Sequence, residues 1–286
     1  MLQQGYHFVV PLTPGFLNCR LPQVWVGAIL QQNAYRFEVA VLGRPVERGV
    51  VTRFQGIGIG MPGPADYARG IISKTPNLSL RNLNIKKPLQ KAFHVPVTCE
   101  NDANCFALAE AVLGAGKGKS TVVGITLGSG FGSGIIINKK IFHGKGNAGE
   151  FGHTTLCFHG PRCRCGNIGC IEEYCSARGV LRLAKGMKAH TPLEVHNLAE
   201  KGNKQARAVF LKYGFYLGTG LVNIIHSLDP DSIVIGGGIS GAYKYFQSSM
   251  KETVQKKCIL TPPRISRSLF GKQAGVIGAA LLTSLT

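Results

Sequence analysis

The sequence predicts an α/β protein built in two lobes. Its 286 residues, 44% of them hydrophobic, can bury one large core or two moderate ones. Apolar segments of strand length run into a glycine or acidic turn and then a helix, as at 95–99 before Asn101 and at 232–235 before Gly236. Many of the 38 glycines follow such segments, where a bare backbone can approach a ligand. The expected division is an N-terminal lobe over 1–118 and a C-terminal lobe over 119–286.

Nine cysteines do not pair evenly, and the densest of them have metal-ligand spacing, so a reduced, cytoplasmic setting is expected. No apolar run reaches the roughly 18 residues of a membrane span. The N-terminus lacks the basic flank and cleavage signature of a signal peptide. The net charge of +19 comes from scattered residues such as Lys86, Lys139 and Lys256. With no helix-turn-helix or aromatic-basic platform beside them, they read as solvated surface, and a nucleic-acid partner is not expected.

Residues 1–54 contain no Asp and no Lys, although the chain has 19 lysines and four aspartates further on. HFVVPL and VWVGAIL have the length of short strands, and the rest fits neither the helical nor the strand period. The composition breaks near Phe54, as a shifted reading frame or a replaced N-terminus would make it.

From Gly56 the pattern is regular. GIGIGMPGPAD is a strand running into a turn at Pro62, Gly63 and Pro64, and GIISKTPNL gives a further strand and a loop holding Asn77. In HVPVTCENDANCFALAEA a buried strand ends at Cys99, and an alanine-rich helix begins at Asn101 and runs to about Leu113. Asn101 and Asp102 therefore sit where open α/β sheets bind ligands. The positive end of the helix favours an ionised Asp102, which either caps the helix or accepts a hydroxyl proton. VVGITLGSGFGSGIII predicts a β-hairpin whose bend is a tight glycine turn or a phosphate nest. There Gly128, Ser129, Gly130, Gly132 and Gly134 offer amide donors, and Ser129 and Ser133 offer hydroxyls.

The most specific stretch is EFGHTTLCFHGPRCRCGNIGCIEE, Glu150 to Glu173. His153, Cys163, Cys165 and Cys170 have the ligand types and density of a closed tetrahedral zinc site, and Pro161, Arg162, Arg164 and Asn167 are too polar for a core segment. Glu150 and Glu172 flank the ligands in sequence, so a metal between them would gather two acids to hold a polar ligand such as a sugar. Residues 176–212 are polar and helical, with breaks at Thr191-Pro192 and Gly202-Asn203. The next helix carries Val209, Tyr213, Leu217, Leu221, Ile224 and Ile225 on one core-facing side. The strand at 232–235 opens into Gly236, Gly237 and Gly238 before a helix over about 242–256, where a base or phosphate can lie on backbone. GVIGAALL closes the chain as a small-residue helix.

GIGIGMPGPAD, ENDAN, LGSGFGSG, GEFGH, CRCGNIGCIE and IVIGGGIS, in that order, resemble the ROK family of sugar kinases and repressors, from about Gly56 to the end. The resemblance implies the two-lobed ribonuclease H-like fold of actin and hexokinase, with the helix at 275–282 returning to the first lobe. It implies Asp102 as general base and Asn77, Asn101, Glu150, His153 and Glu172 as sugar contacts. His153 would share zinc with Cys163, Cys165 and Cys170. Gly128, Ser129, Gly130 and Gly132 would cradle the phosphates of ATP, with Gly236, Gly237 and Gly238 bordering its adenosine. Mg2+ would accompany the nucleotide, and relatives are commonly dimers.

The resemblance implies an ATP-dependent hexose kinase, glucose being the first acceptor and N-acetylglucosamine or N-acetylmannosamine the alternatives. Active relatives open with Asp-x-Gly-Gly-Thr-Lys, a loop for phosphate and magnesium that residues 1–54 do not contain. The first lobe is accordingly expected to lack central strands, and a sugar-binding protein with impaired catalysis is the second reading. Family repressors carry an N-terminal DNA-binding domain, for which this chain is read as too short.

Overall fold

The computed structural model describes residues 24–32, 35–45, 51–63, 65–74 and 81–284. In chain order the strands are β1 (Val24–Gln32), β2 (Tyr35–Pro45), β3 (Val51–Met61), β4 (Ala65–Asp66), β5 (Ile71–Lys74) and β6 (Arg81–Asn84). Helix α1 (Lys86–Phe93), β7 (Val97–Asn101) and α2 (Asp102–Val112) follow, then β8 (Thr121–Leu127), β9 (Phe131–Ile137) and β10 (Lys140–Ile141). Next come α3 (Ile171–Cys175), α4 (Ala177–Leu183), α5 (Pro192–Glu200), α6 (Lys204–Leu228), β11 (Ser232–Gly236), α7 (Tyr243–Lys257), β12 (Arg264–Arg267) and α8 (Ala274–Ser284). The described residues form two units: unit 1 runs to Ala109 and resumes at Gln273, and unit 2 is Glu110–Lys272. The boundary thus falls inside α2, earlier than the position 118 read from the sequence.

In unit 1 the main sheet has the order β1-β2-β3-β7, with β1, β2 and β3 antiparallel and β7 parallel to β3. The expectation that this lobe lacks central strands is corrected here, since residues 24–45 supply two strands beside β3. VWVGAIL lies in β1, whereas HFVVPL lies outside the described residues. The core gathers Ile57, Ile59, Met61, Val97 and Cys99 with Ile72. Helix α8 lies on β3 at the closest possible range: a Cβ on Gly58 would stand 1.7 Å from the carbonyl oxygen of Ala279. The same holds for Gly278 against Cys105 of α2, again at 1.7 Å. Small residues in GVIGAALL therefore serve backbone-to-backbone packing.

Unit 2 carries a five-stranded sheet in the order β10-β9-β8-β11-β12. Strands β8, β9 and β10 form an antiparallel meander, and β11 runs parallel to β8 with Gly236 opposite Thr126. Helix α6 starts where the Asn203 side chain accepts from the Ala206 amide and stops at Asp229, which has a left-handed φ of 42°. It is long and apolar enough to cross a membrane by length and composition alone. Its apolar face is instead spent on the core, with Phe210, Tyr213, Leu217, Leu221 and Ile224 fully buried. Gly214 and Gly218 bring it against α7, where added Cβ atoms would meet the carbonyl oxygens of Phe246 at 2.4 Å and Met250 at 2.6 Å.

The buried carboxylate of Glu110, the first residue of unit 2, accepts from the amides of Ala115 at 2.9 Å, Leu269 at 3.1 Å and Phe270 at 3.0 Å, and from the Ser268 hydroxyl. One side chain thus satisfies donors near both points at which the chain enters and leaves the unit.

Because the Gly278 site has no room for a methyl group, Gly278→Ala should destabilise the protein by about 1–3 kcal/mol. Urea unfolding is the measurement; an unchanged midpoint would contradict the packing of α8 on α2.

Candidate active site and metal centre

In unit 2 a 3-10 turn over Phe151–His153 and the N-terminus of α3 bring the four expected ligands together. One ligand atom each from His153, Cys163, Cys165 and Cys170 lies within 4.8 Å of the others. The Cys163 sulfur is 3.8 Å from His153 Nδ1, and the sulfurs of Cys165 and Cys170 are 3.6 Å apart. Two sulfurs at about 2.3 Å from a tetrahedral zinc stand about 3.8 Å apart, so the donor set fits that ion in type and spacing. Asn167 braces the loop, its amide nitrogen reaching the Cys170 sulfur at 3.4 Å and the His153 carbonyl at 3.3 Å. Burial pushes the Cys170 thiol up to about 12 and raises Cys163, whereas the Asn167 backbone amide holds Cys165 below the ordinary thiol value.

The two flanking acids differ. Glu150 is open to solvent, with Oε2 3.9 Å from His153 Nε2, the ring nitrogen turned away from the sulfurs. Glu172, one residue into α3, has only 15% of its side chain exposed. Its Oε2 accepts from the Phe131 amide at 3.0 Å, and its Oε1 accepts from Arg178 Nη2 at 2.9 Å. Arg178 also donates to the buried Glu173 at 2.7 Å, which Arg182 holds from another side at 2.8 Å. Cys163 has a carboxylate oxygen of Glu172 and of Glu173 within 4.8 Å of its sulfur.

Both glycine-rich segments lie at the carboxyl ends of neighbouring parallel strands. Gly128, Ser129 and Gly130 follow β8, and Gly236, Gly237 and Gly238 end and follow β11. Gly237, at φ 82°, sits where a Cβ would be 2.4 Å from the Leu127 carbonyl oxygen, so the second segment packs on the end of β8 at backbone level. Around Gly128 and Gly238 a Cβ would meet nothing within 4 Å. The turn is closed by the Gly128 amide donating to the Gly130 carbonyl at 3.0 Å, and Ser129 is exposed. Gly132 lies in β9, beyond the turn. Ser133 is corrected from a candidate phosphate donor to a structural one, since its buried hydroxyl donates to the Gly149 carbonyl.

In unit 1 the carboxyl ends of β3 and β7 come together, Met61 opposite Asn101. The Asn101 side-chain oxygen accepts from the amides of Ala103 at 2.8 Å and Asn104 at 3.2 Å, so Asn101 is the residue that caps α2. Its Nδ2 donates to the Tyr67 hydroxyl at 3.1 Å, which fixes the amide's orientation. Asp102 occupies the first helical position, with Oδ1 accepting from the Ala103 amide at 2.8 Å. Gly63 faces this group, where a Cβ would stand 3.0 Å from the Tyr67 hydroxyl. Asn77 lies outside the described residues.

The sequence reading missed Tyr67, Arg178 and Glu173. Tyr67 reaches Asn101 across 34 residues, a contact that no local period reveals. Arg178 carried a weaker signal, as a cation following the paired acids Glu172-Glu173.

Fold and site together define a two-unit α/β protein with glycine ledges at parallel strand ends and a His/Cys knuckle suited to zinc. The sequence model of the ROK family matches residues 45–285, and the chain belongs to that family. The match begins earlier than Gly56, where the sequence resemblance starts. A glucokinase of Halalkalibacterium halodurans is 35% identical over 79% of this chain and 75% of its own length. An N-acetyl-D-glucosamine kinase of Haemophilus influenzae is 33% identical over 79% of each. A xylose repressor of Bacillus subtilis is 35% identical over 71% of this chain, and the chain spans 53% of that repressor's length. The crystal structure of a ROK hexokinase from Thermus thermophilus superposes with a TM-score of 0.73 at 29% identity, covering 91% of this chain and 95% of that one. A ROK glucokinase from Streptomyces griseus, crystallised with glucose and AMPPNP, gives 0.71 at 27% identity over 87% and 96%. The fold is accordingly the ribonuclease H-like ATPase fold of actin and hexokinase.

A thiol must lose its proton to ligate, and two of the three here hold their protons more tightly than usual, so zinc binding should release protons. Apparent zinc affinity is expected to rise from about pH 6 to about pH 8, measured by chelator competition. Affinity that is flat or falls across this range would contradict a thiolate site.

Proposed function

We propose that the chain is an ATP-dependent kinase acting on the 6-hydroxyl of a hexose, with glucose as the first acceptor. The observation that carries this is that segments 128–130 and 236–238 follow neighbouring parallel strands, Gly237 packing on Leu127 at the end of β8, with open space at Gly128 and Gly238. The exposed Ser129 hydroxyl and glycine backbone there suit phosphate oxygens. Gly128, Ser129 and Gly130 hold the phosphates, with Gly132 behind them in β9. Gly236, Gly237 and Gly238 border the adenosine. Neither glycine segment contains a carboxylate, so Mg2+ would be held there chiefly through the nucleotide's phosphates. Bound magnesium supplies charge neutralisation.

Asp102 is the proposed general base, taking the proton as the sugar oxygen bonds to the γ-phosphorus and ADP departs. At the start of α2 the helix end favours its ionised form. Asn101, turned by its capping bonds and by the Tyr67 hydroxyl, is a proposed sugar contact, as are Glu150, His153 and Glu172 of unit 2. Asn77 keeps the same proposed role. The glucokinase and N-acetylglucosamine kinase relatives support the kinase reading and leave N-acetylglucosamine and N-acetylmannosamine as alternative acceptors. Eight unpaired cysteines among the described residues support a reducing compartment.

A second reading has its own support. The xylose repressor relatives, and the lack of an Asp-x-Gly-Gly-Thr-Lys loop in the sequence, favour a sugar-binding protein that does not transfer phosphate.

Protein incubated with magnesium, ATP and glucose, N-acetylglucosamine, N-acetylmannosamine or xylose should release ADP with one hexose well above a no-sugar blank. Asp102→Asn should lower that turnover by about 10²- to 10⁴-fold while the sugar still raises the melting temperature. Sugar protection with no ADP release in the unaltered protein selects the second reading. Full turnover in the variant removes Asp102 from the base role.

A further inference from the structure

The metal centre and the phosphate-binding turn share an anchor, Phe131. This residue follows the turn Gly128–Gly130, opens β9 and is buried. Two segments grip it. From one, Gly152 presses so close that a Cβ there would lie 2.5 Å from the Phe131 carbonyl oxygen and 3.1 Å from its side chain. From the other, Glu172 Oε2 accepts the Phe131 amide at 3.0 Å. Each gripping residue lies within two positions of a metal-ligand candidate: Gly152 precedes His153, and Glu172 follows Cys170.

The second segment holds the turn at two further points. The Ala177 amide at the start of α4 donates to the Gly128 carbonyl at 2.8 Å. Gly130 lies flat against Glu172, where a Cβ would stand 2.7 Å from Oε2. Glu172 cannot swing aside freely, because Arg178 ties its other oxygen to the buried Glu173. A bond from a charged carboxylate inside this low-dielectric setting is among the stronger ones available to a backbone amide.

We propose that the metal centre sets the position of the phosphate-binding turn, with Glu172 as the positioning residue that carries its geometry to Phe131 and Gly130. An ion joining His153 to Cys170 closes the grip on Phe131 from both sides. Without it the segments 151–153 and 170–172 are joined by hydrogen bonds alone, such as the Cys170 sulfur to the His153 carbonyl at 3.3 Å and the Ile171 amide to the Thr154 carbonyl at 2.9 Å. The turn then keeps its own short bond, the Ala177 amide and the pairing of Leu127 with Phe131, with a looser grip on Phe131 from outside the hairpin. Glu172 in this role serves the nucleotide end of the reaction, beyond the sugar contact that the proposed function gives it. The nucleotide assignment rests on that proposed function, while the mechanical link from metal to turn does not.

The test therefore has two arms. In hydrogen exchange followed by mass spectrometry, Glu172→Ala should speed exchange in the peptide spanning 127–132 by about tenfold or more, the loss of one charge-assisted bond. Glu172→Gln, which retains an oxygen acceptor for Phe131, should fall between that variant and the unaltered protein. Stripping zinc from the unaltered protein should have the same local effect, with the β11 peptide over 232–236 unchanged in each case. In the second arm Gly130→Ala, which crowds Glu172 from the turn side, should weaken AMPPNP binding by about tenfold in calorimetry, with zinc content unaltered. Unchanged exchange at 127–132 in Glu172→Ala overturns the proposal, whatever the kinase assay gives. So does exchange that rises equally across 127–132 and 232–236, which is general loosening rather than positioning. If the unaltered protein binds no AMPPNP, the kinase reading fails while the exchange arm still decides the link.

Discussion

Three sulfurs and an imidazole nitrogen within 4.8 Å of one another are a costly arrangement for a protein to hold by itself. As thiolates they repel, and as thiols they make only weak bonds, the Cys170 sulfur meeting the Asn167 side-chain nitrogen at 3.4 Å and the His153 carbonyl at 3.3 Å. A divalent cation bound there would remove both penalties at once and turn a polar knuckle, too small for a hydrophobic core, into a rigid element. The proposed link to the glycine turn of unit 2 rests on that conversion. The knuckle sets where α3 begins, α3 aims Glu172, and Glu172 with Gly152 fixes the residue at which the glycine turn becomes β9.

Both units place their candidate groups by the same geometric device, though with different chemistry. Parallel strands end at one edge, and their following turns lie side by side. In unit 2 the strands are β8 and β11, and the turns are glycine backbone suited to anions. In unit 1 the strands are β3 and β7, and the turns carry Gly63, Asn101 and Asp102. A helix N-terminus carries the groups of unit 1, whereas glycine backbone with open space at Gly128 and Gly238 makes the ledge of unit 2.

The units differ in how the parallel strand joins the meander. In unit 2 β11 pairs with β8, the first strand of its antiparallel set, whereas in unit 1 β7 pairs with β3, the last. The difference follows from the stretch before β3. Residues 24–45 form two strands, β2 pairing antiparallel with β3 and β1 with β2, although their composition is unlike the rest of the chain. Backbone pairing asks little of side-chain identity, so a segment without the expected phosphate motif still completes a sheet.

Much of this was legible in the residues themselves. Strands β7, β8, β9 and β11 and helices α2, α6 and α7 follow from apolar period and glycine punctuation, since those signals are local. The four metal-ligand candidates could be named from spacing, because ligand chemistry restricts the choice to a few residue types. What spacing could not say is what each polar group does once surrounded. Asn101 rather than Asp102 caps α2, Ser133 is spent on the Gly149 carbonyl, and Glu172 is engaged by Phe131 and Arg178. Tyr67 and Arg178 become partners only when distant segments meet. The sequence by itself determined which chemistries were available and roughly where strands and helices fall, since those depend on neighbours in the chain. Only the tertiary structure decided which atoms remain to face a ligand, because a buried donor or acceptor takes whatever partner the fold brings within 3 Å or so.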